Sequence, residues 1–376
     1  VKNAGEVYKI SFSAFFADLG YQAAVALFPL ILVVVFGVPV SFYGIIEGIN
    51  YGGGTFMGFL GGLAADRYGA KRVAVIGNAF VTLIALIGLA ANYLEAAIFF
   101  MAGWFARNFR SAPRRVMILQ VTEPSERRMA FSVLHALDIA GASLALVYVT
   151  LGLYARVDVA LLTIPALLTL LISTALLASV RVGWKENVSD KGERREGEGR
   201  VLWGVVVSTM LFAFSQYSFG FPIITSYEVS HELYLATLTY LVFLSSSSLF
   251  GYLLGKTRFS DLKGLAFLGY ALGGAASLGY ALTSHLGLAY IWGFSVILGL
   301  SVAATEVFEP TIVARVARRE GAGMGLLSLG RSLGIFLTNT VMGLLYQISY
   351  AYSYAFAALA SFVAALIVYL LSRTIE

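Results

Sequence analysis

Cysteine is absent from the 376 residues, histidine occurs three times, and charged residues make up only 12% of the chain. The first absence excludes disulfides, thiolate metal sites and cysteine nucleophiles, although it does not identify a compartment. Three scattered histidines, with no HExxH string and no P-loop lysine motif, leave zinc-hydrolase and nucleotide-hydrolysing chemistry without support, so no cofactor, no metal and no catalytic residue are expected. The scarcity of charge decides the class. A soluble domain carries roughly 25% charged residues, whereas here 59% of residues are hydrophobic and the mean hydropathy is +0.82. Such a chain is an integral membrane protein. Period-two alternation is missing too, which speaks against a β-barrel, and the first apolar run, about 25 residues long, reads as a spanning helix and not as a cleaved signal.

What is present are apolar runs recurring almost to the end of the chain. They predict an all-α membrane protein with twelve spans, near 9–36, 42–64, 73–91, 96–118, 129–154, 158–180, 201–226, 233–255, 264–283, 287–314, 322–347 and 351–372. Most lysines and arginines fall in segments 65–72, 114–128, 181–200, 256–263 and 315–320, and the alternate loops hold almost none beyond Arg156. By the positive-inside rule both termini are cytoplasmic, and the net charge of +5 reports topology, not a nucleic-acid partner. VGWKENVSDKGERREGEGR is the only long polar stretch. It predicts a cytoplasmic linker, 181–200, between two six-helix bundles, 1–180 and 201–376. The halves echo each other. SAPRRV followed by RRMAFSVLHALDIAG in the first matches FEPTIVARV followed by GAGMGLLSLGRSLGI in the second, and such internal repetition marks secondary transporters.

GGLAADRYGAKR, Gly61 to Arg72, resembles the cytoplasmic loop signature of the major facilitator superfamily, with Gly62, Asp66, Arg67, Gly69, Lys71 and Arg72 in place. The resemblance implies that superfamily's fold of two pseudo-symmetric six-helix bundles and a gating role for this loop. Physically, Gly62 permits close helix approach, Gly69 suits a tight turn, and Asp66 with the basic cluster can contact neighbouring helix ends. The corresponding loop of the second half, with Phe259 where an acid would stand, is degenerate. Arg110, Pro113 and Arg114, followed by Asp138, Gly141 and Ala142, resemble an arginine, proline, arginine series in some uncharacterised prokaryotic members. The Gly-Pro pair of the antiporter branch is missing from span five, where the chain reads SLALVYV.

Charges inside the spans carry the functional reading. Asp18, Glu47, Arg107, Arg110, His135, Asp138, Glu306, Glu309 and Arg331 fall on spans one, two, four, five, ten and eleven, and none on three, six, nine or twelve. In the superfamily fold the first set of helices lines the central cavity. At 1.5 Å per residue, Asp18, Arg107, Asp138, Glu306 and Arg331 come out about 12–17 Å deep, with opposite signs at one level. Either these are structural ion pairs, or Arg107, Arg110 and Arg331 hold an anionic group while Asp18, Asp138 or Glu306 exchanges a proton. His135, one turn before Asp138, is either a proton relay or a packing residue. Arg114 and Arg115 are expected to snorkel to the headgroups, while Glu228, His231 and Glu232 read as a solvated outer loop more than as metal ligands. The expected protein is a cell-membrane, monomeric secondary transporter of a small or amphipathic, anionic solute, coupled to protons. Alternatives are a multidrug/H+ antiporter for neutral or cationic compounds and, from other classes, a membrane enzyme or receptor.

Overall fold

The computed structural model describes residues 3–123, 126–181, 198–213, 217–254, 260–316 and 320–375, and every element among them is helical. The central part of the expected linker, Gln216, the loop around Gly255 to Phe259, and 317–319 lie outside the described residues. In chain order the helices are α1 (Ala4–Pro29), α2 (Val40–Tyr68), α3 (Ala70–Val81), α4 (Tyr93–Val121), α5 (Arg127–Tyr154), α6 (Ile164–Ser179), α7 (Glu198–Phe212), α8 (Gly220–Ser230), α9 (Leu233–Leu254), α10 (Asp261–Gly264), α11 (Leu272–Thr283), α12 (Leu288–Val316), α13 (Glu320–Tyr346) and α14 (Tyr350–Ile375). Three of them run on as other helix types: α1 into a π-helical stretch, Leu30–Val35, α3 into 3-10 turns, Thr82–Leu89, and α10 through π-helical Leu265–Ala271 into α11.

Contacts divide the chain into two units, Val1–Val38 with Gly53–Asn187, and Pro39–Gly52 with Val188–Glu376. The helix α2 is therefore shared, its first thirteen residues grouping with the second unit. Two sets of glycines on α2 explain this. Gly44, Gly48 and Gly52 recur every fourth residue, and a Cβ at any of them would press on α13: at Gly48 it would lie 2.8 Å from the Phe336 carbonyl, at Gly52 2.8 Å from the Phe336 Cβ. Further along, a Cβ at Gly53 would meet the Phe105 ring and one at Gly61 would overlap the Phe109 carbonyl. Small residues let membrane helices approach to backbone contact. The residue that does so in the loop signature is Gly61; a Cβ at Gly62 would make only an ordinary 3.8 Å contact with Ala112. The expected close-approach role of Gly62 is thus corrected to its neighbour.

Pro113 explains why Gly61 has that partner. Proline has no N–H to offer the carbonyl four residues back, which is Phe109. The freed carbonyl turns into a contact surface for α2. In the first unit, residues from all six helices, among them Ile10, Ala65, Ala74, Met117, Leu134 and Leu177, form one buried cluster. A polar clasp accompanies it. Ser13 and Ser173 exchange hydroxyl-to-carbonyl bonds at 2.8 and 2.6 Å, and Asn78 donates to Ser173 and Thr174, so α1, α3 and α6 satisfy one another where water is absent. The start of α4 is capped: Asn92 accepts from the Glu95 N–H at 3.0 Å, while Glu95 accepts from the Asn92 side chain and the Ala91 N–H. In the second unit Tyr270, Ala304, Phe308, Ala364 and Val368 centre the core.

Eight helical stretches are long and apolar enough to cross a membrane by length and composition among the described residues. The α2, α4, α7, α8 and α13 helices are not among them. These are the ones carrying Glu47, the arginines and a break.

Candidate functional site

That break corrects the expected continuous span 201–226. Helix α7 ends at Phe212 and α8 begins at Gly220, so the backbone between them needs other partners. The Ser218 N–H donates to the Asn339 side chain at 2.7 Å, and the Ser218 hydroxyl accepts from the Gly220 N–H at 3.1 Å and meets the Tyr43 hydroxyl at 3.2 Å. One turn along α2 from Tyr43 stands Glu47, 2% exposed, accepting from the Asn50 amide at 3.1 Å and lying in hydrogen-bonding contact with Ser218 and Tyr43. Glu47 has no cationic partner among the described residues.

A second group, in the first unit, contains the α4 arginines. Arg107 and Arg110, with Arg114 one turn on, are spaced three and four residues apart and stack along the helix. Arg107 donates to the Tyr21 hydroxyl at 3.1 Å and to Asn108 at 3.3 Å, with its guanidinium over the Tyr21 and Trp104 rings at 5.1 and 5.2 Å. Arg114 pairs with Asp138 at 3.2 Å. Its side chain is only 12% exposed, which corrects the expected snorkelling to headgroups; Arg115 is the exposed one. Arg110 is buried at 1% exposure, its Cβ against Gly77 of α3, so it is enclosed and does not line an open path. Asp18, 5% exposed, shares the Tyr21 hydroxyl with Arg107 and feels the charges of Asp138, Arg114 and Arg107. Gly141 lets α5 cross α1 at the Phe15 backbone, which brings Asp138 toward Asp18.

The balance of this cluster is uneven: three guanidiniums face two carboxylates. Nε and Nη1 of both Arg110 and Arg114 are buried without a hydrogen-bond partner, as is one oxygen of each aspartate. His135 is exposed, and Asp138 spends its other oxygen on Arg114, so the expected hydrogen-bonded relay between His135 and Asp138 is not formed.

A third group lies in the second unit. Arg331 donates through Nε to Glu309 at 2.9 Å and through Nη1 to Glu306 at 2.7 Å. Glu309 is fully buried and also accepts from the Tyr270 hydroxyl at 2.6 Å, and Tyr270 in turn meets Thr209 at 3.1 Å. The Glu306 side chain is 57% exposed. Arg331 is thus held by two carboxylates, the ion-pair arrangement of the two alternatives expected for it. Arg331 itself belongs to a Gly-x-Ser-x-Gly string, Gly330 to Gly334, but the string lies inside α13 and Ser332 donates to the Gly52 carbonyl. A nucleophile elbow needs a strand-to-helix turn, which this is not.

The loop signature forms a concavity of about 410 Å³ lined by Asp66 to Arg72 and Gln120. Gly69, at φ 89°, makes the turn between α2 and α3, as expected of it. Asp66, Arg67 and Arg72 are exposed and Lys71 is half-buried, and Asp66 makes no ion pair among the described residues. Glu228 accepts from the Tyr346 hydroxyl at 2.9 Å, while His231 adopts a left-handed conformation at the end of α8. No metal-binding group of three ligands forms among the described residues.

Sequence reasoning missed Tyr21, Tyr43 and Tyr270 because a tyrosine carries no charge to mark it inside an apolar span. The available signal was spacing: Tyr21 stands three residues after Asp18 and Tyr43 four before Glu47, the same helix face in each case.

The Major Facilitator Superfamily model matches residues 10–338. The chain belongs to the Major Facilitator Superfamily. It is a multi-pass, all-helical secondary transporter of that superfamily and not an enzyme. No curated protein matches the sequence significantly. Among solved structures this superfamily member is similar to a bacterial homolog of the human lysosomal transporter Spinster, at 16% identity and TM-score 0.71, over 98% of this chain and 97% of that one. It is also similar to an auto-inhibited POT family peptide transporter, at 13% identity and TM-score 0.77, over 98% and 96%. The nucleoside transporter NupG matches at 15% identity and TM-score 0.75, over 97% and 99%. At such identities the likeness speaks for the fold.

Proposed function

We propose that this transporter moves a small organic anion by alternating access, recognising its carboxylate or phosphate at the α4 arginines. The observation that carries this reading is the surplus in the first unit: three guanidiniums against two aspartates, with Nε and Nη1 of Arg110 and Arg114 unsatisfied. Buried donors need acceptors, and a planar guanidinium takes two oxygens at once. Arg107 and Arg114, the partly exposed members, reach the solute, Arg110 supplies uncompensated positive charge behind them, and Asp138 is displaced from Arg114 as the solute enters. The Arg110, Pro113, Arg114 series with Asp138 and Gly141 supports placing the chain in the prokaryotic branch that it resembles. Basic loops support cytoplasmic termini in a cell membrane, bundles 1–180 and 201–376 joined by a cytoplasmic linker, and a gating role for the loop from Gly62 to Arg72.

The test is binding and counterflow in proteoliposomes with a panel of labelled mono- and dicarboxylates, phosphate esters and organic cations. Anions are expected to exchange, Arg114→Lys to weaken binding and Arg114→Gln to abolish it. A second reading has its own observation: the acid excess of the second unit, with Glu306 exposed, suits a cationic solute in the manner of a multidrug antiporter. Transport of cations alone, untouched by Arg114→Gln but lost in Glu306→Gln, would replace the first reading with the second.

A further inference from the structure

Glu47 is used by neither reading. It sits inside a membrane protein at 2% exposure, on the part of α2 that groups with the second unit, beside the break between α7 and α8. Every group seen around it is neutral. On α2 these are Tyr43, Asn50 and Tyr51; at the break, Ser218; on α13, Asn339, bonded to Ser218. The nearest charged side chain along α13 is Arg331, eight residues from Asn339 and committed to Glu306 and Glu309. Tyr346, seven residues the other way, bonds to Glu228. An ionised carboxylate in such a place lacks the partner that buried charges require.

We propose that Glu47 is a proton-binding site through which this transporter couples transport to the proton gradient. In the closed, dry arrangement the carboxyl is neutral: one oxygen accepts from Asn50, and the acid O–H donates to the Ser218 or Tyr43 oxygen. When the unwound segment at Ser218 rearranges and admits water, the O–H proton passes to water and leaves a carboxylate that is then hydrated. No other bond changes, and charge balances. Ser218 supplies the mobility, since its N–H and that of Gly220 bond to side chains, Asn339 and Ser218, that can change partner more readily than a helical ladder. A metal cation is a poorer occupant. A hard cation wants about six oxygen ligands, whereas the Asn50 amide turns its N–H₂ to Glu47, which leaves the carboxylate and the Ser218 and Tyr43 hydroxyls as the oxygens there. Asn50 Oδ1, on the far side of that amide, is buried without a partner.

The inference rests on the chain being a secondary transporter and is independent of the charge of its solute. Its test has two arms. Infrared difference spectra of the purified protein between acidic and alkaline buffer should contain a protonated-carboxyl band that disappears in Glu47→Gln and shifts in Glu47→Asp. In proteoliposomes, Glu47→Gln should lose accumulation driven by a pH gradient while solute exchange continues. A band unchanged in both variants overturns the proposal, as does gradient-driven accumulation by Glu47→Gln at the wild-type level. Should Glu47→Gln fail to fold, the band shift in Glu47→Asp decides. If no anion of the panel is exchanged, the proposed solute class fails while the infrared result still stands.

Discussion

The two charged groups that flank the sequence repeat are made of the same parts and are completed in opposite ways. In the first unit three arginines share two aspartates, and buried guanidinium nitrogens lack acceptors. In the second unit one arginine is divided between two glutamates, with Tyr270 and Thr209 closing the network behind Glu309. A finished network fixes helices against one another, whereas an unfinished one keeps free energy available for a ligand. Homologous positions in a duplicated fold need not do the same work. Under the proposed function the second half is the held framework and the first the place where the solute binds.

The comparison can be broken first at Arg331. Arg331→Gln leaves Glu309 fully buried without its cation, which should cost about 3–5 kcal/mol, measured by thermal unfolding of the purified protein in detergent. Adding Glu309→Gln should return most of that loss. A single variant as stable as wild type would show that the second network is not the framework described.

The next effect tests what supports the arginine ladder. Gly61→Val must push α2 away from the Phe109 carbonyl, at a cost of about 1–3 kcal/mol, while Gly62→Ala, with 3.8 Å of room, should unfold with wild type. Equal effects of the two would remove the account given of Pro113.

Arg110→Gln sharpens the contrast by direction. Removing an uncompensated buried cation should leave unfolding unchanged or raise the midpoint, whereas exchange of anionic solutes falls. If stability collapses as in Arg331→Gln, the first cluster is as structural as the second. The smallest change is expected at Glu306, the exposed arm of the Arg331 pair: Glu306→Gln should cost about 0–1 kcal/mol, and less at high salt.

Much of this was legible in the chain. The helical class, the loop signature and the choice of helices that carry charge follow from composition and from the cost of putting ionisable groups in hydrocarbon, quantities fixed by residue type. That Arg107, Arg110 and Arg114 belong to one face follows from helical period alone. Which cation meets which acid did not follow, because partners come from different helices whose rotation is set by packing. Gly141 against Phe15 and Gly77 against Arg110 decide it. Only the tertiary structure therefore showed that Arg331 is already taken, that Arg114 turns inward to Asp138, and that span seven breaks beside a carboxylate with no cation. The sequence determined how many charges the membrane must absorb; the backbone approaches allowed by single glycines decided which of them were left unpaired.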